Sequence, residues 1–290
     1  MATLDDDRPG ATPWLLSGPA LLLFIGLLLV PLLLTLMLSF RVFSDTAGVT
    51  AAYTLTNYWA VVSDPYYGTI FLRTAGLAFA VTLLSIVLGV PETIVLARMK
   101  RPWQSLCLLV VLGPLLISVV VRTLGWQILL GNNGVLNNVL QSLHVTNEPI
   151  RLVFTMTGMI IALTHVLVPF MVMSVWATMQ KLDPQVEWAG RSLGGSPFAV
   201  FRRVVLPQIM PGVLSGSIIV FALSASAFAT PALIGGRRLK VVATAAYDEF
   251  LGTLNWPLGA SIAVLLLIAN VAIVMGCSRL AERRFRHIFD

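Results

Sequence analysis

"GRSLGGSPFAVFRRVVLP", residues Gly190 to Pro207, is the least membrane-like long stretch in the second half of the chain. It carries Arg191, Arg202 and Arg203, the glycine pair Gly194-Gly195 and a Ser196-Pro197 step, with long apolar runs on both sides. A mere solvated linker needs no such pattern. Upstream, Asp183-Pro184 reads as a helix N-cap followed by proline at the first helical position, where its missing N–H costs nothing. Val186, Ala189, Gly190 and Leu193 then share one helical face. Gly194-Gly195 supplies a left-handed residue that ends the helix. Ser196-Pro197 repeats the start signal. Phe198, Phe201 and Val205 share a face of the second helix, with Arg202 and Arg203 on the other side. The spacing therefore predicts a helix–turn–helix hairpin over 181–207, ending at Leu206-Pro207 and Pro211 where the next apolar run begins. An ordinary interfacial amphipathic helix is the plainer alternative; a docking element for a separate protein is the richer one.

The flanks decide the class. Of 290 residues, 57% are hydrophobic and 11% charged, against about 25% charged in a soluble domain. A chain so poor in charge keeps most of its surface out of water. Spans of roughly 20 apolar residues are expected at 14–40, 74–98, 104–130, 152–180, 208–234 and 257–280. All are read as helices, since a lone segment in lipid must satisfy its own backbone. The sequence thus predicts an all-α transmembrane protein of about six spans, with tails at 1–13 and 281–290 and one membrane domain over 14–280. The first apolar run is too long for a signal-peptide core and reads as a retained span.

Basic residues set the orientation. With the N-terminus inside, twelve Lys and Arg fall on the inner side and seven on the outer, which places both termini in the cytoplasm. Arg237, Arg238 and Lys240 oppose that bias locally. The net charge of +6 reflects these loops rather than nucleic-acid binding, because no basic patch is interleaved with exposed aromatics. Cys107 and Cys277 read as small hydrophobes, without metal spacing or a disulfide framework.

The hairpin resembles the Glu-Ala-Ala loop of ABC-transporter permeases. Ala189 matches the first alanine of that pattern, Gly194 its glycine, and Val204, Leu206 and Pro207 its terminal Ile-x-Leu-Pro. Trp188 stands where the family has Glu, and Gly190 where it has the second Ala. Glu187 lies one residue early, a rotation of about 100° on a helix, so its equivalence to the family carboxylate stays open. Further stretches resemble the spermidine/putrescine branch: "FLRTAGLAFAVTLLSIVLGVP" (Phe71–Pro91), "VRTLGWQILLGNNGVLNN" (Val121–Asn138), "HVLVPFMVMSVWATMQKLDP" (His165–Pro184), "FATPALIGG" (Phe228–Gly236) and "NWPLGASIAVLLL" (Asn255–Leu267).

The resemblance implies a permease in a bacterial inner membrane that works with two ATPase subunits, a second permease subunit, most simply a distinct homologue, and a periplasmic binding protein. Its coupling element would be built on Glu187, Trp188, Ala189, Gly190, Gly194, Phe198, Arg202, Arg203, Leu206 and Pro207. The chain contains no GxxxxGK[ST] phosphate loop. It is therefore expected to be non-catalytic and free of cofactors, with ATP and Mg bound by the partner ATPase.

Ionisable residues inside apolar runs usually face protein or a water-filled path. Glu92 is the acceptor expected for a cation, with an ion pair to another helix as the structural alternative. His165 reads first as a packing histidine, and Arg122 as a snorkelling or gating arginine. Asp248 and Glu249 lie in an outer loop. Trp126, Phe170, Phe228 and Trp256 offer aromatic faces to an ammonium group. A polyamine is the leading solute; another small solute, amino-acid-like or an organic anion, is the alternative. A stand-alone secondary transporter needs paired broken helices and a coupling-ion site, for which Glu92 is the one carboxylate candidate. A membrane enzyme is the weakest of the three readings, since the sequence offers no HExxH and no evident nucleophile–base grouping.

Overall fold

The structure, a computed structural model, describes the backbone from Thr12 to Phe289 and the side chains from Ser17 to Arg279, Pro184 apart. The expected N-terminal tail up to residue 11, with Arg8, lies outside the described residues, as do the side chains of the C-terminal tail. Among the described residues five helices are long and apolar enough to cross a membrane, or six if one bent pair counts as a span. The chain divides into two compact units.

The larger unit holds Val62–Ala245 and the chain from Leu265 onward. Its centre is a trio of helices: α3 (Pro65–Arg98), α7 (Met156–Met179) and α10 (Leu206–Ala225). Their starts follow from the sequence. The Asp64 side chain accepts from the Tyr66 N–H at 2.8 Å with Pro65 at the first position, and Thr155 accepts from the Gly158 N–H at 3.2 Å. The shared core includes Leu77, Val81, Met159, Met171, Val175, Ile209 and Val220. Lipid supplies no hydrophobic drive between helices, so close packing must do that work. Gly212 and Gly216 provide it. A Cβ at Gly212 would lie 2.4 Å from Thr178 Oγ1 and 2.8 Å from the Ser174 carbonyl, and one at Gly216 would lie 2.8 Å from the Met171 sulfur.

The third expected span is not one continuous helix. α4 (Arg101–Leu116) stops, Ile117 and Ser118 are extended, and α5 (Val119–Leu130) leaves at 99°. Gly113-Pro114 weakens the helix just before the break, and α5 restarts at Val119. The short helix α6 (Val135–Ser142) follows. Buried Asn137 pins it by donating to the Gly131 and Ile150 carbonyls and accepting from the Ile150 N–H. The fifth span is displaced from its expected place at 208–234: the continuous helical run is Pro197–Ala225, so the second helix of the expected hairpin is the first part of the span itself. α10 ends at Ala225, residues 226–230 intervene, and a π-helical turn, Pro231–Gly235, follows.

The smaller unit comprises the described residues up to Val61 together with Ala246–Val264. Helix α1 (Thr12–Ser39) runs into an antiparallel hairpin, β1 (Arg41–Ser44) with β2 (Gly48–Tyr53), which the sequence reading did not anticipate. Gly48, at φ +69°, makes its turn. Helix α2 (Thr56–Ser63) comes next. Tyr58 shares a 2.6 Å hydrogen bond with Ser39, while Asn57 and Ser261 both donate to the Ser39 carbonyl. The two remaining helices, α11 (Val242–Leu251) and α12 (Trp256–Phe289), run from one unit's residues into the other's.

Candidate functional site

The first helix and the turn of the hairpin form as their spacing predicts, whereas the second helix does not end at Pro207 but runs on into the next span. Helix α8 (Pro184–Ser192) starts at Asp183, whose carboxylate accepts from the Gln185 N–H at 2.9 Å. It ends in a Schellman motif: the Gly195 N–H reaches the Gly190 carbonyl, the Gly194 N–H reaches the Arg191 carbonyl, and Gly194 sits at φ +82°. Ser196 caps the short helix α9 (Pro197–Val200) by accepting from the Ala199 N–H. A π-helical turn, Phe201–Val205, then joins α9 to α10.

That π turn shifts the phase of the second helix, and with it the inward face. Val200 is buried where the simple α period places Phe198, which is 71% exposed. Val200 seats against Gly190, where a Cβ would lie 3.4 Å from its methyl groups, and Gly195 is tighter still at 2.9 Å. Leu193 also departs from the expected inner face, at 88% exposed, and Trp188 is 66% exposed. Exposed Trp188, Leu193, Phe198, Arg202 and Arg203 therefore make an apolar and basic outer surface. Ala189 is exposed and Leu206 and Pro207 are half-buried at the root of α10.

Glu187 points elsewhere. Its carboxylate accepts from Arg191 at 2.7 Å, one helical turn on, and from Arg98 at 3.2 Å, at the end of α3. Sequence spacing offers no sign of the Arg98 contact, since the two residues lie 89 positions apart. A cleft of about 490 Å³ lies beside this contact, lined by residues that include Arg98, Asp183, Glu187, Trp188 and Gln208.

The residues expected along a solute path separate into three places. Glu92, Trp126 and His165 come together in an open cavity of about 560 Å³ between α3, α4, α5 and α7, otherwise lined mostly by Leu, Val, Ile and Pro. Trp126 Nε1 donates to His165 Nδ1 at 3.2 Å, and the two rings meet edge to face at 5.3 Å. That bond fixes His165 as the tautomer with its proton on Nε2. Half-buried Glu92 has no ion-pair partner among the described residues.

Arg122 and Phe228 line a second cavity of about 350 Å³, with Phe170 and Thr230. Asp248 and Glu249 lie on α11 and Trp256 opens α12, all three within the smaller unit. Thr253 donates to the Glu249 carboxylate at 2.6 Å. Sequence reasoning missed the buried hydroxyl pair Thr123–Thr230, at 3.2 Å, which ties α5 to the segment after α10. Two threonines 107 positions apart leave no pattern that periodicity can detect.

Five or six helices fit to cross a membrane, one bent pair, two open cavities and a helical hairpin with exposed aromatic and basic side chains are the architecture of a multi-pass membrane protein. No family model matches the sequence. Among curated proteins, the chain is 33% identical over 273 residues to the spermidine/putrescine transport system permease protein PotB of Salmonella typhimurium, covering 93% of this chain and 94% of that one. It is 33% identical over 237 residues to the inner membrane ABC transporter permease protein YdcU of Escherichia coli K12, covering 76% and 74%. Among solved structures, a bacterial alginate ABC transporter in complex with alginate pentasaccharide-bound periplasmic protein contains a chain that superposes with a TM-score of 0.79 at 15% identity, over 94% of this chain and 95% of that one.

The chain belongs to the ABC-importer permease family, in the branch that includes PotB. It is a multi-pass membrane permease subunit.

Proposed function

We propose that this chain is a translocating permease subunit of an ATP-driven importer for polyamines such as spermidine or putrescine. The observation that carries the solute class is the likeness to PotB along almost the whole chain. The chemistry of the larger cavity agrees with it. A polyamine needs a carboxylate and aromatic faces, and Glu92 lies in one cavity with Trp126 and His165. Glu92 receives an ammonium group there, and the tautomer of His165 keeps that ring neutral beside the passing cation. Phe228, Asp248, Glu249 and Arg122 belong to further stages of the same route or to its assembly.

The hairpin over 181–207 is the coupling element to a separate ATPase. Its rigidity supports this reading: both helices are capped, and Gly190, Gly195 and Val200 lock them together. Trp188, Leu193 and Phe198 then supply the apolar contact and Arg202 and Arg203 the charge. The working importer contains two ATPases, which bind ATP and Mg, a second permease subunit and a periplasmic binding protein. In this reading the membrane is a bacterial inner membrane, and the excess of basic residues on one side supports a cytoplasmic hairpin and cytoplasmic termini. The domain consists of residues 14–280 with short tails at either end.

The decisive experiment is ATP hydrolysis by the reconstituted importer with its binding protein, across polyamines, amino acids and organic anions. Stimulation by spermidine or putrescine is the expected result. Stimulation by an organic anion or amino acid alone overturns the polyamine assignment. Failure of any ATPase subunit to copurify overturns the coupling role of the hairpin.

A further inference from the structure

Arg122 is the one buried charge in the core of the larger unit among the described residues. It is 9% exposed. It lies on α5 just past the 99° bend from α4. One terminal nitrogen, Nη1, donates to the Pro114 carbonyl, on the last turn of α4. This is a good position for a cation, since the C-terminal carbonyls of a broken helix carry partial negative charge. The carbonyl supplies a partial charge, however, and the guanidinium carries a whole one. Nε is buried and has no hydrogen-bond partner. No carboxylate lines the adjacent cavity of about 350 Å³, whose polar contribution besides Arg122 comes from Thr230 and the backbone. The ion pairs among the described residues, Arg98–Glu187 and Arg191–Glu187, do not involve Arg122.

An arginine offers five N–H donors in a planar fork suited to a carboxylate. Burying that fork without a counter-charge costs several kcal/mol, and such a residue persists where a partner completes it. The cavity beside it is large enough to admit a side chain from outside. We propose that this cavity is a carboxylate socket: an Asp or Glu side chain of the second permease subunit enters it and pairs with Arg122 in the assembled importer. The inference rests on the polyamine-importer reading in two respects. That reading supplies a second permease, and it makes the solute a cation, which removes the solute as the source of the carboxylate. Glu92 and Arg122 then divide the labour, with Glu92 left open for the solute's positive charge and Arg122 reserved for the partner's negative one. The Thr123–Thr230 hydroxyl pair holds the socket wall by tying α5 to the segment after α10.

The test uses the whole importer. Arg122→Glu, Arg122→Gln and Arg122→Lys are introduced, and the amount of second permease retained on this chain is measured alongside spermidine uptake. Arg122→Glu is expected to lower both by roughly tenfold or more, because like charges then face each other in a dry site. Arg122→Lys, which keeps the charge but loses the fork, should fall between wild type and Arg122→Gln, which loses both, and Arg122→Gln should in turn be less impaired than Arg122→Glu. Arg122→Gln at the wild-type level in both readouts overturns the proposal. Selection for restored uptake in the Arg122→Glu background should return acidic-to-basic changes in the second permease. Retention and uptake within about twofold of wild type for Arg122→Glu overturn the proposal. So do suppressors confined to this chain around Pro114, which would make Arg122 a staple of the bend. If wild-type importer responds to a carboxylate solute and not to spermidine, the polyamine reading fails on its own. The suppressors still decide the socket in that case, because they report the partner residue irrespective of the solute.

Discussion

The charges of the hairpin and the charges of the membrane core are treated in opposite ways. In the hairpin, where water is at hand, Glu187 is held by two arginines, Arg98 and Arg191. Within the membrane-spanning helices, where an unpaired charge is costly, buried Arg122 and half-buried Glu92 each lack an ion-pair partner among the described residues. They also do not neutralise each other, since they line different cavities. A fold optimised only for stability would do the reverse, because exposed pairs contribute little and buried lone charges cost much. The contrast separates a region that has finished its bonding within the chain from one that has left bonding to be completed by something else.

The strongest way to break this contrast is to invert a core charge. Glu92→Lys is expected to lower spermidine uptake by roughly a hundredfold, and Glu92→Gln by about tenfold, with assembly of the importer unchanged in both. Uptake by Glu92→Lys at the wild-type rate would remove Glu92 from the path. The next effect in size concerns the turn of the hairpin. Gly194→Val places a β-branched residue at φ +82°, a left-handed conformation that costs an ordinary residue about 1–2 kcal/mol. Nothing crowds the position within 4 Å, so the effect is conformational. ATP hydrolysis should continue while uptake per ATP falls by about tenfold. Normal coupling would show that the turn needs no rigidity.

Trp188→Ala sharpens the comparison from the other side. The indole is 66% exposed, so the chain itself should lose little stability. Docking of the ATPase should weaken by roughly tenfold if the tryptophan is an anchor. Unchanged ATPase affinity would transfer that role to Leu193 or Phe198. The smallest effect belongs to Glu187→Gln. Its two ion pairs are solvent-accessible and together contribute no more than about 1 kcal/mol, so uptake should stay within about twofold of wild type. A loss as large as that of Glu92→Gln would mean that Glu187 leaves its arginines to contact the ATPase.

Much of the hairpin was legible because its signals are local. An N-cap and its acceptor are neighbours in sequence, and Gly194 announces the left-handed turn by lacking a Cβ. The face assignment failed at Phe198, because the π turn over Phe201–Val205 inserts a phase shift that no α-periodic count contains. The third span illustrates a different limit. Its composition satisfied the length rule for a single crossing, yet Gly113-Pro114 and the extended Ile117-Ser118 split it into a bent pair. The β1–β2 hairpin was overlooked for a related reason: its strands are only 4 and 6 residues long, too short for alternation to stand out in a polar loop.

The sequence by itself determined that this is a chain for a membrane, where the hairpin's two helices start, where the hairpin turns and which few ionisable residues stand in apolar runs. Those properties depend on side-chain chemistry and on neighbours within a few positions. Only the tertiary structure decided that Glu92 shares a cavity with Trp126 and His165, that Glu187 is occupied by Arg98, and that Arg122 is buried against one carbonyl without a counter-charge. Those are outcomes of helix packing, in which glycines at the α7–α10 contact and a break between α4 and α5 set how close remote side chains come. Whether a charge is paired is a property of three-dimensional proximity, and one-dimensional order does not encode it directly.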